Sequence, residues 1–216
     1  MQSKTYSPKE IAAFRGLLQL AAGGNCFSNI KVQDIATAAG IGKGTLYEYF
    51  SSKEDILSCT MLYTLQQFAD WMEQQITQDV SLHAVLARFL DALEQERFLP
   101  FRALPVLGTF LSYEQRAQLG MRNREQAQAI IDRMRGYERH VFANSRKNGE
   151  IDPALSDRFC EYAILSALGG YVSMLEKRVC CREEISLDSC KDMVQQLIFR
   201  SLRPLTNSSI YIVFVV

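Results

Sequence analysis

Two histidines and one tryptophan in 216 residues mark what this chain has least of. His83 and His140 stand far apart, and neither belongs to a His-Glu-x-x-His pair or has a cysteine at a usable spacing. Gly-x-Ser-x-Gly is absent as well, so neither a metal centre nor a nucleophilic hydrolase site can be assembled from the motifs present. Both histidines are expected to be surface or packing residues, and no catalytic residue, metal ligand or cofactor site is expected. Six cysteines (Cys26, Cys59, Cys160, Cys180, Cys181 and Cys190) include no C-x-x-C pair. They read as reduced thiols packed as small hydrophobes. A redox pair would be sought first at Cys180-Cys181, although adjacent cysteines rarely bridge comfortably.

Long apolar runs are also missing. No stretch reaches the ~20 residues a membrane span needs, and MQSKTYSPKEI lacks the apolar core of a signal peptide. Membrane association is therefore not expected, and the cytoplasm is the expected location. The tail 204–216 ends in the apolar segment 210–216, IYIVFVV, which is too short to cross a bilayer and lies beyond the helical pattern. A phosphate loop is excluded too. A Walker A motif needs Gly-x-x-x-x-Gly-Lys-Ser/Thr after a strand, whereas AGIGKGT puts Thr37 at the first glycine position and Gly44 after the lysine.

Net charge is the last absence, at formally zero. Its distribution says more than its sum. Residues 1–53 carry six basic side chains against Glu10, Asp34 and Glu48, while residues 54–216 carry 18 against 21 acidic ones. The asymmetry is small, with the sign expected of a DNA-facing N-terminus. Phosphate binding would have to come from placed residues rather than bulk charge.

What is present is helical periodicity nearly throughout. Ser7-Pro8-Lys9-Glu10 predicts a capped helix start, followed by Ile11, Phe14, Leu17, Leu18 and Ala21 at helical spacing and stopped at Gly23-Gly24-Asn25. Val32, Ile35, Ala36 and Ala39 form the stripe of a second, short helix that ends at Gly40 in a left-handed turn. Lys31 stands where a capping Ser or Thr would be wanted, so Ser28 or Asn29 is expected to cap from further out. A third helix starts near Gly42 or Lys43. At ~100° per residue, Leu46 and Phe50 point inward with Ile41, and Gly44 and Glu48 face away between Thr45 and Tyr47. Ser52 caps a fourth helix, with Asp55 three residues on.

Two short helices around a glycine turn are the outline of a helix-turn-helix DNA reader. Asp34-Ile35-Ala36, Ala39-Gly40-Ile41, Gly42 to Tyr47, Tyr49-Phe50 and Ser52-Lys53-Glu54 resemble the N-terminal signature of the TetR (tetracycline-repressor) family, over roughly residues 8–57. Beyond residue 57 the resemblance is architectural. Amphipathic runs are expected over 52–76, 81–97, 114–147, from Asp152-Pro153 onward, and over 187–203, with a Pro100/Pro105 break between the second and third of these.

The expected fold is all-α, with about nine helices in total. A three-helix DNA-binding unit over 1–51 precedes a helical ligand-binding and dimerisation domain over 52–203. Lys43, Tyr47, Tyr49 and Lys53 have the reach and donors for phosphates, Gly44 lets the backbone approach the duplex, and Thr45 and Glu48 can address base edges. The resemblance implies DNA contacts at these positions, at Gly42, and at Lys31, Val32 and Gln33. It also implies a ligand cavity in the helical body, for which the candidates are Phe68, Trp71, Met72, Phe89, Phe98, Phe101, Phe110, Tyr113, Met121, Tyr137, Phe159 and Tyr162. The implied partners are a double-stranded DNA operator, a second copy of the chain in a homodimer, and a small-molecule ligand not named by the sequence. Ser166, Ala167, Gly169 and Gly170, with the stripe Cys190, Met193, Val194, Leu197, Ile198 and Leu202, fit a helical dimer interface. The function implied is a ligand-responsive regulator, most simply a repressor released by its ligand. The alternative is a ligand-sequestering protein whose DNA unit is idle.

Overall fold

The computed structural model describes residues 5–23, 25, 27–76, 80–95, 123–181 and 186–203, with backbone only for 176–181. Every regular element among the described residues is a helix: α1 (Pro8–Ala22), α2 (Val32–Ala39), α3 (Lys43–Tyr49), α4 (Lys53–Gln75), α5 (Leu82–Leu93), α6 (Arg124–Lys147), α7 (Asp157–Cys181) and α8 (Leu187–Leu202). The protein is all-α, as its periodicity predicts. The chain divides into two compact units, one of Met1–Glu73 with Ala92–Met134, the other of Gln74–Asp91 with Arg135–Val216.

The first unit is built on α1. The predicted capping box forms in full, with Glu10 N–H donating to Ser7 Oγ at 3.3 Å and Ser7 N–H to Glu10 Oε2 at 2.8 Å. Such a cap contributes on the order of 1 kcal/mol. Phe14, Leu17, Leu18 and Ala21 are buried with Phe27, Ile30, Ile35, Ala36, Leu46, Phe50, Ile56 and Leu57 in one core. Tyr6 joins it edge-on to Phe14 and Tyr63, at ring separations of 5.0 and 5.6 Å. Burial, with Cys59 and Glu10 nearby, pushes the Tyr6 phenol well above its ordinary range.

Gly16 lets α1 and α2 approach as closely as they do. A Cβ there would stand 2.9 Å from Ala39 N and 3.1 Å from the Ile35 carbonyl oxygen. Only a residue without a side chain fits where two backbones meet in this way.

In α4 the pattern of buried residues departs from hydropathy. Ser58, Thr60 and Thr64 are buried beside Ile56, Leu57, Leu62, Ala69 and Met72. Thr60 Oγ1 donates to the Ile56 carbonyl at 2.7 Å, and Thr64 Oγ1 to the Thr60 carbonyl at 2.9 Å. Ser58 Oγ accepts from Asn123 Nδ2 at 2.9 Å. Each hydroxyl is thus satisfied, which removes most of the cost of burying it. Arg133 of α6 pairs with Asp70 of α4.

In the second unit, Ser81 caps α5 through Ala84 N–H at 3.2 Å, and Leu82 N–H donates to Ser145 Oγ at 2.8 Å and Glu150 Oε2 at 3.0 Å. The run expected to end at residue 147 does end there: Gly149 takes φ +73° and Glu150 N–H returns to the Ser145 carbonyl at 2.8 Å. The expected start of the following helix at Asp152-Pro153 is corrected. Asp152 makes a turn instead, its Oδ1 accepting from Ala154 N–H at 2.9 Å, and Ser156 caps α7 through Phe159 N–H at 3.2 Å. A short Asx-turn satisfies locally the amide that a longer helix would have used.

Helices α7 and α8 pack on each other, burying Cys160, Tyr171, Leu175, Cys190, Val194, Ile198, Phe199 and Leu202. The stripe expected on α8 is accordingly split, because Met193 and Leu197 point outward and Leu197 is 60% exposed. Cys59, Cys160 and Cys190 are buried cysteines. Cys26 and the Cys180 and Cys181 side chains lie outside the described residues, as does the tail 204–216.

Candidate nucleic-acid interface

The α2–turn–α3 unit is held from beneath and open in front. α2 begins at Lys31, whose side chain can accept nothing, so only the reciprocal half of a capping box forms: Lys31 N–H donates to Asp34 Oδ2 at 2.8 Å. Ser28 and Asn29, expected to cap α2 from further out, stay exposed, with Ser28 Oγ donating to Asn29 Oδ1 at 3.4 Å. At the other end Gly40 takes φ +66°, and the amides of Gly40 and Ile41 return to the Thr37 and Ala36 carbonyls at 3.1 and 3.0 Å. This is a Schellman stop, and a glycine takes that left-handed conformation without the Cβ penalty.

The turn delivers α3 with the predicted register. Leu46 is fully buried, Phe50 nearly so, and Ile41 packs against the same core. Lys43, Gly44, Tyr47, Glu48 and Tyr49 are exposed, and Thr45 is half-buried beside them. Tyr47 is 52% exposed, a large aromatic kept in water rather than packed. Space is open around a Cβ placed at Gly44, so nothing in the fold itself demands glycine there. Gly42 is exposed, and its carbonyl accepts from Leu46 N–H at 3.2 Å as the first bond of the helix. Lys31 and Gln33 are exposed at the start of α2, whereas Val32 is half-buried against the core and offers the same front little side chain.

Lys53 differs from its expected placement. Its Nζ donates to the carbonyls of Phe27 at 2.9 Å, Ile30 at 3.0 Å and Ser28 at 3.4 Å, and lies 4.5 Å from the Phe27 ring centroid. An ammonium has three donors, and here three acceptors converge on it. Sequence reasoning missed this because the partners are main-chain atoms 23 to 26 positions away. Next to it, Ser52 Oγ accepts from Asp55 N–H at 3.1 Å, and Asp55 Oδ2 accepts from Ser51 N–H at 2.9 Å, so the start of α4 is capped as expected.

The described ligand candidates are divided between the two units. Phe68 and Trp71 stack at 5.9 Å and 7° on half-buried ground, one residue before the buried Met72, all in the first unit. Phe89 and Tyr137 are half-buried in the second. Phe98, Phe101, Phe110, Tyr113 and Met121 lie outside the described residues. Phe159 and Tyr162 are 47% and 57% exposed, and Tyr162 lines an open, charged groove with Arg135, Glu138, Arg158 and Glu161. The register that buries Cys160 and Tyr171 turns them outward with Leu165, and Tyr162 instead takes a hydrogen bond from Arg158 at 3.4 Å. No cluster of three or more metal-ligating side chains occurs among the described residues.

Comparison with known proteins agrees with this geometry. Residues 25–58 match the model of the bacterial regulatory proteins of the tetR family, a span that holds α2, α3 and the first turns of α4. Over 63 residues the chain is 36% identical to the fatty acid metabolism regulator protein of Bacillus subtilis, a stretch that is 29% of this chain and 32% of that protein. Among solved structures, the transcriptional regulator FadR of B. subtilis, in complex with stearoyl-CoA, superposes with a TM-score of 0.65 at 20% identity, over 89% of this chain and 99% of that one. The fatty acid degradation regulator FadR of Bacillus halodurans gives 0.63 at 21% identity, over 91% and 97%. NalD of Pseudomonas aeruginosa, the secondary repressor of the MexAB-OprM multidrug efflux pump, gives 0.62 at 18% identity, over 90% and 96%. At such identities these structures speak to the fold, while the matched segment is the one that carries the exposed front of α3. Residues 25–58 thus carry the pattern of the tetR family of bacterial regulatory proteins, within a fold shared with these structures.

Proposed function

We propose that the protein is a DNA-binding transcriptional regulator that acts as a homodimer on a palindromic operator and is released by a small molecule. The observation that carries this reading is the division of labour along α3, a helix anchored by buried Leu46 and Phe50 that holds Lys43, Gly44, Tyr47 and Glu48 in solvent. A packing helix would have no reason to leave Tyr47 uncovered.

In this account Lys31, Gln33, Lys43, Tyr47 and Tyr49 address phosphates from the two helix starts and the exposed front, with Val32 and Gly42 at the rim. Gly44 admits the sugar-phosphate chain close to the backbone. Thr45 and Glu48 read base edges, a thymine methyl or carbonyl for the first and a cytosine amino group for the second. The DNA-binding function is assigned to residues 1–51 and the regulatory one to 52–203.

Dimerisation is supported by an uncovered face on α7 and α8. Phe159, Tyr162 and Leu165 repeat at helical spacing and run on to exposed Ser166, Gly169 and Gly170, where a Cβ would meet nothing within 4 Å. Met193 and Leu197 are exposed apolar side chains on α8, the helix that packs against α7. A second copy laid against this face would bring small residues opposite a helix and cover the large ones.

Two α3 helices about one DNA turn apart, ~34 Å, enter successive major grooves. A ligand that favours another spacing lowers affinity by its differential binding to the two states. α4 carries both the Lys53 end of the DNA-binding unit and the stacked Phe68–Trp71 pair, which makes it the expected lever. The acyl-CoA held by the B. subtilis relative makes long-chain acyl-CoAs the first ligands to try. The test is a gel shift on an operator recovered by selection: Tyr47→Ala should abolish the shift with the fold intact, and full retained affinity would remove Tyr47 from the interface.

A further inference from the structure

Lys53 is in the wrong place for an isolated helix. It occupies the first position of α4, where the unpaired amides of a helix favour negative charge and a cation is unfavourable. Glu54 and Asp55 obey that preference and Lys53 breaks it. A local rule broken at one position points to a compensating tertiary role. That role is visible in the carbonyls of Phe27, Ser28 and Ile30, which close around Nζ, with the Phe27 ring against it as well. These carbonyls belong to the segment between α1 and α2 and end one residue before Lys31, the residue from which α2 starts.

The geometry points to Lys53 as a positioning residue, a strut that fixes the first turn of α4 to the entrance of the helix-turn-helix and so sets how α4 carries α2 and α3 onto DNA. It is not a phosphate ligand in this arrangement, because turning Nζ toward a phosphate would take its charged hydrogen bonds from the half-buried Phe27 and Ile30 carbonyls. The inference rests on the DNA-binding function proposed above. It changes what α4 transmits: displacement of its first turn pulls on the start of α2 through a charged contact, and not only through the three residues, 50–52, that join α3 to α4.

A point-like ammonium suits three converging carbonyls, and a planar guanidinium does not. Phosphate would accept either cation. Lys53→Arg and Lys53→Met therefore separate the two roles, with Lys43→Met as the phosphate-contact comparator. Melting temperatures of the full chain are measured first, then affinity for the selected operator across a salt series, at a temperature well below every melting transition.

The strut predicts that both Lys53 variants melt lower than wild type and bind about tenfold or more weakly, with salt dependences parallel to wild type. Lys43→Met should instead flatten the slope by ~0.9 per lost phosphate contact. Wild-type affinity in Lys53→Arg, or a flattened slope with unchanged melting in Lys53→Met, would overturn the inference. If the wild-type chain binds no DNA, the functional reading fails on its own. The melting curves then still decide the strut, since wild-type melting in both Lys53 variants contradicts it.

Discussion

Lys53 and Phe27 are joined twice, by a hydrogen bond of 2.9 Å from Nζ to the Phe27 carbonyl and by the same ammonium lying 4.5 Å from the Phe27 ring centroid. Phe27 is itself buried in the core that also takes Leu46 and Phe50 from α3 and Ile56 and Leu57 from α4. One residue thus links the charged contact at the start of α4 to the apolar anchor of the recognition helix. The DNA-binding unit is positioned by a polar strut and a shared core together.

The α3 register predicts opposite outcomes for neighbouring residues. Leu46→Ala removes a fully buried side chain and should cost about 2–5 kcal/mol of stability. Tyr47→Ala trims an exposed ring and should change stability by no more than about 0.5 kcal/mol, while operator binding is lost. Urea denaturation alongside gel shifts checks both.

Gly16→Ala should destabilise the first unit by about 1–3 kcal/mol, the usual cost of overpacking. The added Cβ would meet Ala39 N at 2.9 Å, and main chain on both helices has no rotamer with which to yield. A lower urea midpoint with an unchanged slope is the expected result. A midpoint equal to wild type would mean that α1 and α2 do not meet at this point.

The sequence carried the local features and missed the distant ones. The Ser7–Glu10 box, the Gly40 stop and the Leu46/Phe50 register are set by residues three or four positions apart, so spacing alone specifies them. Nothing in the spacing around Gly16 signals its role, because its reason lies in the backbone of α2. Thr60 and Thr64 lowered the hydropathy of α4 where the helix is in fact buried, since bonds to their own i−4 carbonyls satisfy them. Asp152-Pro153 resembled a helix start, and only the observed turn and the Ser156 cap show otherwise. Phe159 and Tyr162 carried the composition of a cavity lining, yet aromatic residues at helical spacing do not reveal whether the face they share is turned to an interior or to a partner.

Glu138 should make stability depend on pH. Burial, reinforced by Glu161 and Asp157 and opposed by Arg135, raises its carboxyl above the ordinary glutamate range. The folded chain therefore holds this proton more tightly than the unfolded chain. Stability from this group falls as pH rises from the ordinary carboxylate range through the raised folded value. Glu138→Gln is expected to melt above wild type at pH 7, with the gap closing as pH is lowered into that range. Thermal melts at several pH values decide it, and a variant that melts below wild type at pH 7 would contradict the sign.

The uncovered face of α7 and α8 predicts that Leu165→Glu or Leu197→Glu turns a dimer into a monomer without unfolding it. Both side chains are already in solvent in a single chain, at 56% and 60% exposure, so a charge there costs the isolated chain little. Between two copies it would be buried unpaired. Sedimentation velocity gives the mass, and circular dichroism confirms retained helix.

The central claim is that the exposed front of α3 reads DNA, and selection of the full-length protein against a random-sequence duplex library tests it most directly. The predicted result is enrichment of one palindromic motif with half-sites about one helical turn apart, lost when the same selection is run with Tyr47→Ala. A library that emerges without any enriched motif from the folded wild-type protein would contradict the account.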